Sequence, residues 1–315
     1  MPAIRLENLS RRYGAVRALD GLSLEVPEGS VFGFLGPNGA GKTTTLRILT
    51  GLAHADNGRA WLAGHEVGRE PAAIARVCGY LPEEPAFYTY LTPTELLVYI
   101  AGIFGLPAAQ RSLRTTELLE QVGLSAVAKR RIGGFSHGMR QRLGIAQALV
   151  NRPQVLLLDE PVSALDPVGR AEVLALIERL RSSCTVVLCT HILADVERVC
   201  DSVAIIDQGR LLVQARQQEL LARYALPLLE IVCEPSPAFN PWLADLRTRP
   251  WLDTLTVTDT QVRLSVNDLE AAKRDLLPSA LQAGLVLTRY QVVTPTLEDV
   301  FMRLVKPKAP EEAAQ

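Results

Sequence analysis

Gly36, Pro37, Asn38, Gly39, Ala40, Gly41, Lys42 and Thr43 set three glycines ahead of a lysine and a hydroxyl in the pattern G-x-x-x-x-G-K-[ST]. That combination suits a polyphosphate. Glycines let backbone N–H groups converge on a crowded anion, and a helix beginning at the loop adds the positive end of its dipole. Lys42 reaches β- and γ-phosphates, the Thr43 hydroxyl can ligate Mg²⁺, and Thr44 completes the set facing the nucleotide. The flanks agree: the apolar run Val31–Leu35 predicts a buried strand leading in, and Thr44–Thr50 has helical character leading out. A glycine-rich turn merely joining strand to helix would not need both flanks and the lysine, so these residues predict a nucleoside triphosphate site.

A second constellation lies further along. Val155–Leu158 is an apolar run that ends in two acids, Asp159 and Glu160. The end of a buried strand is where acids can emerge beside such a loop. Asp159 then suits a direct or water-mediated Mg²⁺ contact. Glu160 suits polarising the water that attacks the γ-phosphate, because in-line hydrolysis needs positioning and a proton acceptor. The competing reading is an ordinary strand end turned by Pro161. His191 follows another apolar strand, Val186–Cys189, and so reaches the same sheet edge. Lone histidines are more often structural, but an imidazole there could bond the γ-phosphate and sense its loss.

The elements needed to hold these groups are legible in outline. Ile4–Leu9 and Leu22–Val26 alternate as antiparallel strands, and Arg59–Ala63 and Val77–Leu81 read as further strands. From Thr92 to about Leu149 the signals are mainly helical, with Leu96–Leu106 expected as a buried helix too short to span a bilayer. Strands Val155–Leu158 and Thr185–Cys189 alternate with helices. The expected fold class is therefore α/β: a mainly parallel sheet with an antiparallel β subdomain and a helical subdomain. We expect this ATP-binding domain over residues 1–215, a linker over 216–227 and a small α+β accessory domain over 228–305, with 306–315 a disordered tail. The accessory domain reads β-α-β-β-α-β, a ferredoxin-like order.

Composition narrows the class. At 315 residues, 48% apolar and 21% charged, the chain is an ordinary globular one with room for a large and a small domain. Its formal net charge of −1 gives no bulk pull toward nucleic acid, and Lys129–Arg131 reads as a solvated face. No signal peptide is legible, and five scattered cysteines without a C-x-x-C pair read as core residues of a reducing compartment. His54 and His65 have no ligand-spaced partners.

With these pieces in order, roughly the first 215 residues resemble the nucleotide-binding domain of ABC transporters, an ABC-type branch of the P-loop NTPase fold. The deciding element is Phe135-Ser136-His137-Gly138-Met139-Arg140-Gln141-Arg142, which looks like that family's signature motif. The resemblance implies that Ser136, His137, Gly138 and Met139 contact ATP held by the opposite subunit of a homodimer. It also implies that Tyr13 stacks on adenine, that Ser163–Asp166 is the loop crossing the interface through Asp166, and that His191 is the switch histidine. Two departures stand out. Phe135, His137 and Met139 replace three of the five usual signature residues, and Glu83 follows Gly79-Tyr-Leu-Pro82 where the family has glutamine. Glu83 can still ligate Mg²⁺ or accept from the attacking water, with one extra negative charge. Thr294–Phe301 resembles the ending of ATPase subunits of ABC-2 type exporters, and its local reading is a helix capped by Thr296 and Asp299.

The resemblance thus implies an ATP-hydrolysing, Mg²⁺-using subunit on the cytoplasmic face of the membrane, driving a separate transmembrane permease. A non-transport ABC ATPase acting on nucleic acid or ribosomes is the rival. The long coiled coils, paired cassettes or basic stripe expected of it are missing from the sequence. A GTPase or kinase is disfavoured because no Asn-Lys-x-Asp sequence occurs.

Overall fold

The structure is a computed structural model and describes residues 2–163, 165–224 and 226–305. The chain divides after Gln217 into two compact units. The first opens with β1 (Pro2–Tyr13), β2 (Val16–Pro27), β3 (Val31–Leu35), α1 (Lys42–Leu49), β4 (Asn57–Leu62), β5 (His65–Glu66), α2 (Pro71–Val77) and β6 (Cys78–Leu81). A helical stretch follows: α3 (Pro93–Ile103), α4 (Ala108–Gln121) and α5 (His137–Ala148). The chain then returns to strands with β7 (Val155–Asp159), α6 (Pro167–Leu180), β8 (Thr185–Thr190), α7 (Leu193–Val199), β9 (Ser202–Asp207) and β10 (Arg210–Arg216).

Two sheets result. One is antiparallel, in the order β2-β1-β4-β5. The other runs β10-β9-β3-β8-β7-β6 and is parallel apart from the β10 edge. Every residue of β3, β7 and β8 is buried, as strands covered on both faces must be. Register decides the chemistry. Leu35 pairs with Thr190, Asp159 with Cys189 and Leu81 with Leu158, so four strands end together at one edge. Gly36, Glu83, Glu160 and His191 follow those ends directly or within two residues. A core including Ile4, Leu6, Phe32, Leu46, Leu157 and Val187 joins the two sheets and α1.

Several expectations need correction. β9 adds a strand beyond those read from the sequence; its Val203–Ile206 run is apolar and it pairs with β3. Val77 closes α2 rather than opening β6. The helix expected over Leu96–Leu106 ends at Ile103 and is buried on one face only. Leu96, Leu97 and Ala101 face inward, while Tyr99 and Ile103 are exposed, because the period of 3.6 turns part of any continuous apolar run outward. The start of this helix is a complete capping box of Thr92 and Glu95.

The second unit contains α8 (Gln217–Tyr224), β11 (Leu228–Cys233), α9 (Phe239–Leu246), β12 (Leu252–Thr258), β13 (Gln261–Val266), α10 (Leu269–Gln282), β14 (Leu287–Val293) and α11 (Leu297–Val305). Much of the stretch 216–227, read as a linker, is the helix α8, with Leu220 fully buried. The sheet is antiparallel throughout in the order β12-β13-β11-β14, the ferredoxin-like arrangement that the element order predicts. Burial alternates along β13, and Val262, Leu264 and Val266 pack with Leu229, Ile231, Trp242 and Leu276. The expected tail, 306–315, lies outside the described residues. All five cysteines are unpaired, and four are buried.

Candidate functional site

The glycine-rich loop leaves β3 at Gly36 and enters α1 at Gly41. Its glycines answer to neighbouring backbone as well as to any ligand. A Cβ on Gly36 would sit 2.5 Å from the Ile206 carbonyl oxygen of β9, and one on Gly41 would sit 2.6 Å from that of Ala18 in β2. Gly41 also has φ +107°, which L side chains resist. Lys42 is buried, and its Nζ donates to the carbonyl oxygens of Gly36 at 2.6 Å and Pro37 at 3.3 Å. It lies 3.8 Å from Glu160 Oε1.

The two acids at the end of β7 are held differently. Asp159 is 1% exposed, and both of its carboxylate oxygens are buried without a hydrogen-bond partner among the described residues. Burial pushes its carboxyl up to about 6, with Glu83 and Glu160 adding to the rise and the Thr43 hydroxyl and Lys42 opposing it. Glu160, by contrast, is fully engaged. Its Oε2 accepts from the Thr190 hydroxyl at 3.0 Å, and its Oε1 is 2.9 Å from His191 Nδ1. Its backbone N–H donates to Cys189 across the sheet edge, and its φ is +46°. That left-handed conformation costs a side-chain-bearing residue about 1–2 kcal/mol, and such strain tends to gather where geometry is functional.

These groups share one cleft of about 440 Å³, lined by residues 37–44 together with Glu83, Glu160, His191, Val16 and Ala18. Gly36 and Asp159 lie just behind its surface: Gly36 accepts from Lys42, and Asp159 adjoins Thr43 and Glu160. Tyr13 does not line the cleft but pairs with Val16, which does. Tyr13 is 44% exposed, and the Arg11 guanidinium sits 4.7 Å from its ring centroid.

Ser136, His137, Gly138, Met139 and Asp166 do not line this cleft. Ser136 N-caps α5, accepting from Met139 N at 3.3 Å, and Asp166 N-caps α6, accepting from Gly169 N at 3.3 Å. Gly138 lies beside Leu165, where an added Cβ would be 3.5 Å from that side chain. Ala164, within the expected interface loop, lies outside the described residues.

Sequence reasoning missed Val16 and Ala18 as cleft walls, and Thr190 as the residue orienting Glu160. Thr190 could have been found, since it directly precedes His191 at the end of a strand. Val16 and Ala18 reach the loop only through sheet packing.

Chemically, the cleft offers a cationic, backbone-lined cradle beside a buried carboxylate lacking partners and a second carboxylate oriented by two donors. A hard divalent cation fits beside the buried carboxylate: Thr43, Asp159 and Glu83 supply oxygen donors of the type Mg²⁺ prefers, and the Asp159 oxygens without hydrogen bonds are what a cation would satisfy.

Comparisons with known proteins cover both units. Residues 19–163 match the family described as ABC transporter, and residues 217–305 match the ATP-binding protein DrrA1-3-like, C-terminal domain. The chain is similar to the linearmycin resistance ATP-binding protein LnrL of Bacillus subtilis (strain 168), at 32% identity over 304 residues, covering 96% of this chain and 97% of that one. It is similar to the daunorubicin resistance ATP-binding protein DrrA2 of Streptomyces coeruleorubidus, at 36% identity over 308 residues, covering 96% and 94%. A solved structure described as the ATP binding subunit of an ABC transporter superposes with a TM-score of 0.64 at 30% identity, covering 70% of this chain and 93% of that one.

Proposed function

Because the chain belongs to the ABC transporter ATP-binding proteins and carries their ATPase domain, we propose that Glu160 polarises the attacking water and that hydrolysis drives export through a separate membrane permease. Nucleotide binding and a separate membrane component follow from the family. Among the described residues no helix is long and apolar enough to cross a membrane. Peripheral attachment at the cytoplasmic face is the arrangement this reading requires.

The observation that carries the proposal is the setting of Glu160. Its carboxylate is buried at the cleft wall, strained at the backbone and oriented by Thr190 and His191 beside Lys42. A carboxylate so held accepts a proton from water without reorganising. Lys42 exchanges the Gly36 and Pro37 carbonyls for phosphate oxygens, and His191 contacts the terminal phosphate from the same edge. Thr43, Asp159 and Glu83 would hold Mg²⁺, which would supply positive charge to offset that of the phosphates.

Ser136, His137, Gly138, Met139 and Asp166 complete a partner's cleft in a homodimer around two ATP molecules. Their position away from their own cleft, at the starts of α5 and α6, supports that assignment. Tyr13 presents its ring to adenine. The exporter reading rests on relatives named for resistance to linearmycin and daunorubicin and on the matched C-terminal domain.

The test uses Glu160→Gln, which keeps the shape of the site and removes the base. With Mg²⁺ and ATP the variant should elute as a dimer in size-exclusion chromatography, and as a monomer without nucleotide. A monomer under both conditions, together with hydrolysis at the parental rate, would overturn the reading. Co-purification of a multi-spanning membrane protein with the tagged chain tests the permease.

A further inference from the structure

We propose that Gln141 is a positioning residue that ties the helix carrying Ser136 to the Glu83 segment, and so sets how Glu83 meets the metal–nucleotide complex. The inference rests on the ATPase reading above. Glu83 sits in the stretch 82–87, which belongs to no helix or strand, yet its side chain lines the cleft. Its backbone carbonyl accepts a hydrogen bond from Gln141 Nε2 at 3.0 Å.

Gln141 itself is 0% exposed and lies on α5, the helix that Ser136 caps. Its Oε1 is buried with no hydrogen-bond partner among the described residues. Packing alone would be served as well by an apolar side chain of the same length, which would bury no unpaired amide oxygen. What such a side chain could not supply is the N–H that holds the Glu83 carbonyl.

The joint is reinforced one turn along. Gly144 brings α5 against the same segment so closely that a Cβ there would sit 2.4 Å from a Leu81 side-chain carbon and 3.4 Å from Pro85 Cβ. The backbone at Glu83 is therefore registered against α5 by one hydrogen bond and one close approach. Any displacement of α5 at its Ser136 end is transmitted to Glu83 through Gln141, without contact between Gln141 and the nucleotide.

Gln141→Met removes the donor and keeps length and bulk. A fluorescent ATP analogue titrated into the purified full chain gives affinity with Mg²⁺ and with EDTA. The expected result is an affinity in EDTA equal to the parent's and a Mg²⁺-dependent gain reduced about tenfold, the scale of losing a support to a metal ligand. Glu83→Ala should show the same loss, and the double variant should be no worse than Glu83→Ala. Equal losses with and without Mg²⁺, or additive losses in the double variant, would reduce Gln141 to a core residue and overturn the proposal. If Gln141→Met does not fold, Gln141→Asn replaces it, being one methylene too short to reach the carbonyl. Failure of both to fold would equally assign Gln141 to the core. Failure of the ATPase reading is separate, since the parent would then show no Mg²⁺-dependent ATP hydrolysis.

Discussion

Two buried glutamates, Glu160 in the first unit and Glu230 in the second, show how differently the two units treat charge. Each is under a tenth exposed and each carboxylate has two side-chain hydrogen-bond partners, Thr190 and His191 for Glu160, Gln291 and Arg289 for Glu230. Glu230 sits within a regular antiparallel strand, pairing with Arg263 on one side and Gln291 on the other. Glu160 sits past the end of a parallel strand, at φ +46°, next to an acid with no partner. The parallel sheet gathers its strand ends at one edge, and both Asp159, without a hydrogen bond, and Glu160, at positive φ, lie there. In the antiparallel sheet Glu230 is buried on the face opposite Leu229 and Ile231, and its partners Gln291 and Arg289 come from the neighbouring strand β14. Glu160 thus combines backbone strain with an acid beside it that lacks a hydrogen bond, whereas Glu230 finds its hydrogen bonds within a regular ladder.

The comparison is broken most directly at Glu160. Glu160→Gln should lower kcat by at least ~100-fold while ATP affinity stays close to the parent's. A steady-state ATPase assay beside a binding titration reads both quantities, and an unchanged kcat would make Glu160 as structural as Glu230.

Trp242→Ala tests the second unit as a carrier of stability. Trp242 is buried in its core and donates through Nε1 to Ser279 Oγ at 3.1 Å. Truncation should cost about 3–5 kcal/mol of that unit's stability, read as a lowered denaturant midpoint, while the first unit still binds ATP. Loss of ATP binding in parallel would show that the units do not fold separately.

Asp159→Asn should raise stability, since it removes a charge the fold does not satisfy. Folding lifts this carboxyl from its ordinary 3.8 to about 6. The folded state therefore holds the proton more tightly than the unfolded one, and stability falls as pH climbs from about 4 to about 6. Above that window the penalty is complete, on the order of 1–3 kcal/mol. Thermal melts of the nucleotide-free protein should show Asp159→Asn above the parent at pH 7.5 and level with it below pH 4. The same variant should lose the extra stabilisation that Mg²⁺ adds to ATP. A parent more stable than Asp159→Asn at pH 7.5 would contradict this sign.

The smallest effect is expected at Glu230→Gln, which keeps an acceptor for Gln291 and loses the charge facing Arg289 across 3.5 Å. About 1 kcal/mol of stability should go, with no change in kcat. A fall in kcat would link the second unit to the chemistry.

By itself the sequence determined the elements whose signals are local. The loop from Gly36 to Thr43, the Asp159–Glu160 pair after an apolar run, the Thr296–Asp299 cap and the ferredoxin-like order of the second unit all depend on residues a few positions apart. Tertiary structure alone decided which of them meet. Thr190 comes to face Glu160 because β7 and β8 pair in one register and not another, and no periodicity records that register. Gly36 and Gly41 read as ligand-facing glycines, yet β9 and β2 also crowd them, from positions distant in the chain. Gln141 reads as one polar residue on a helix. Only the packing of α5 against the Glu83 segment turns it into a buried donor, because burial depends on what another part of the chain places over it.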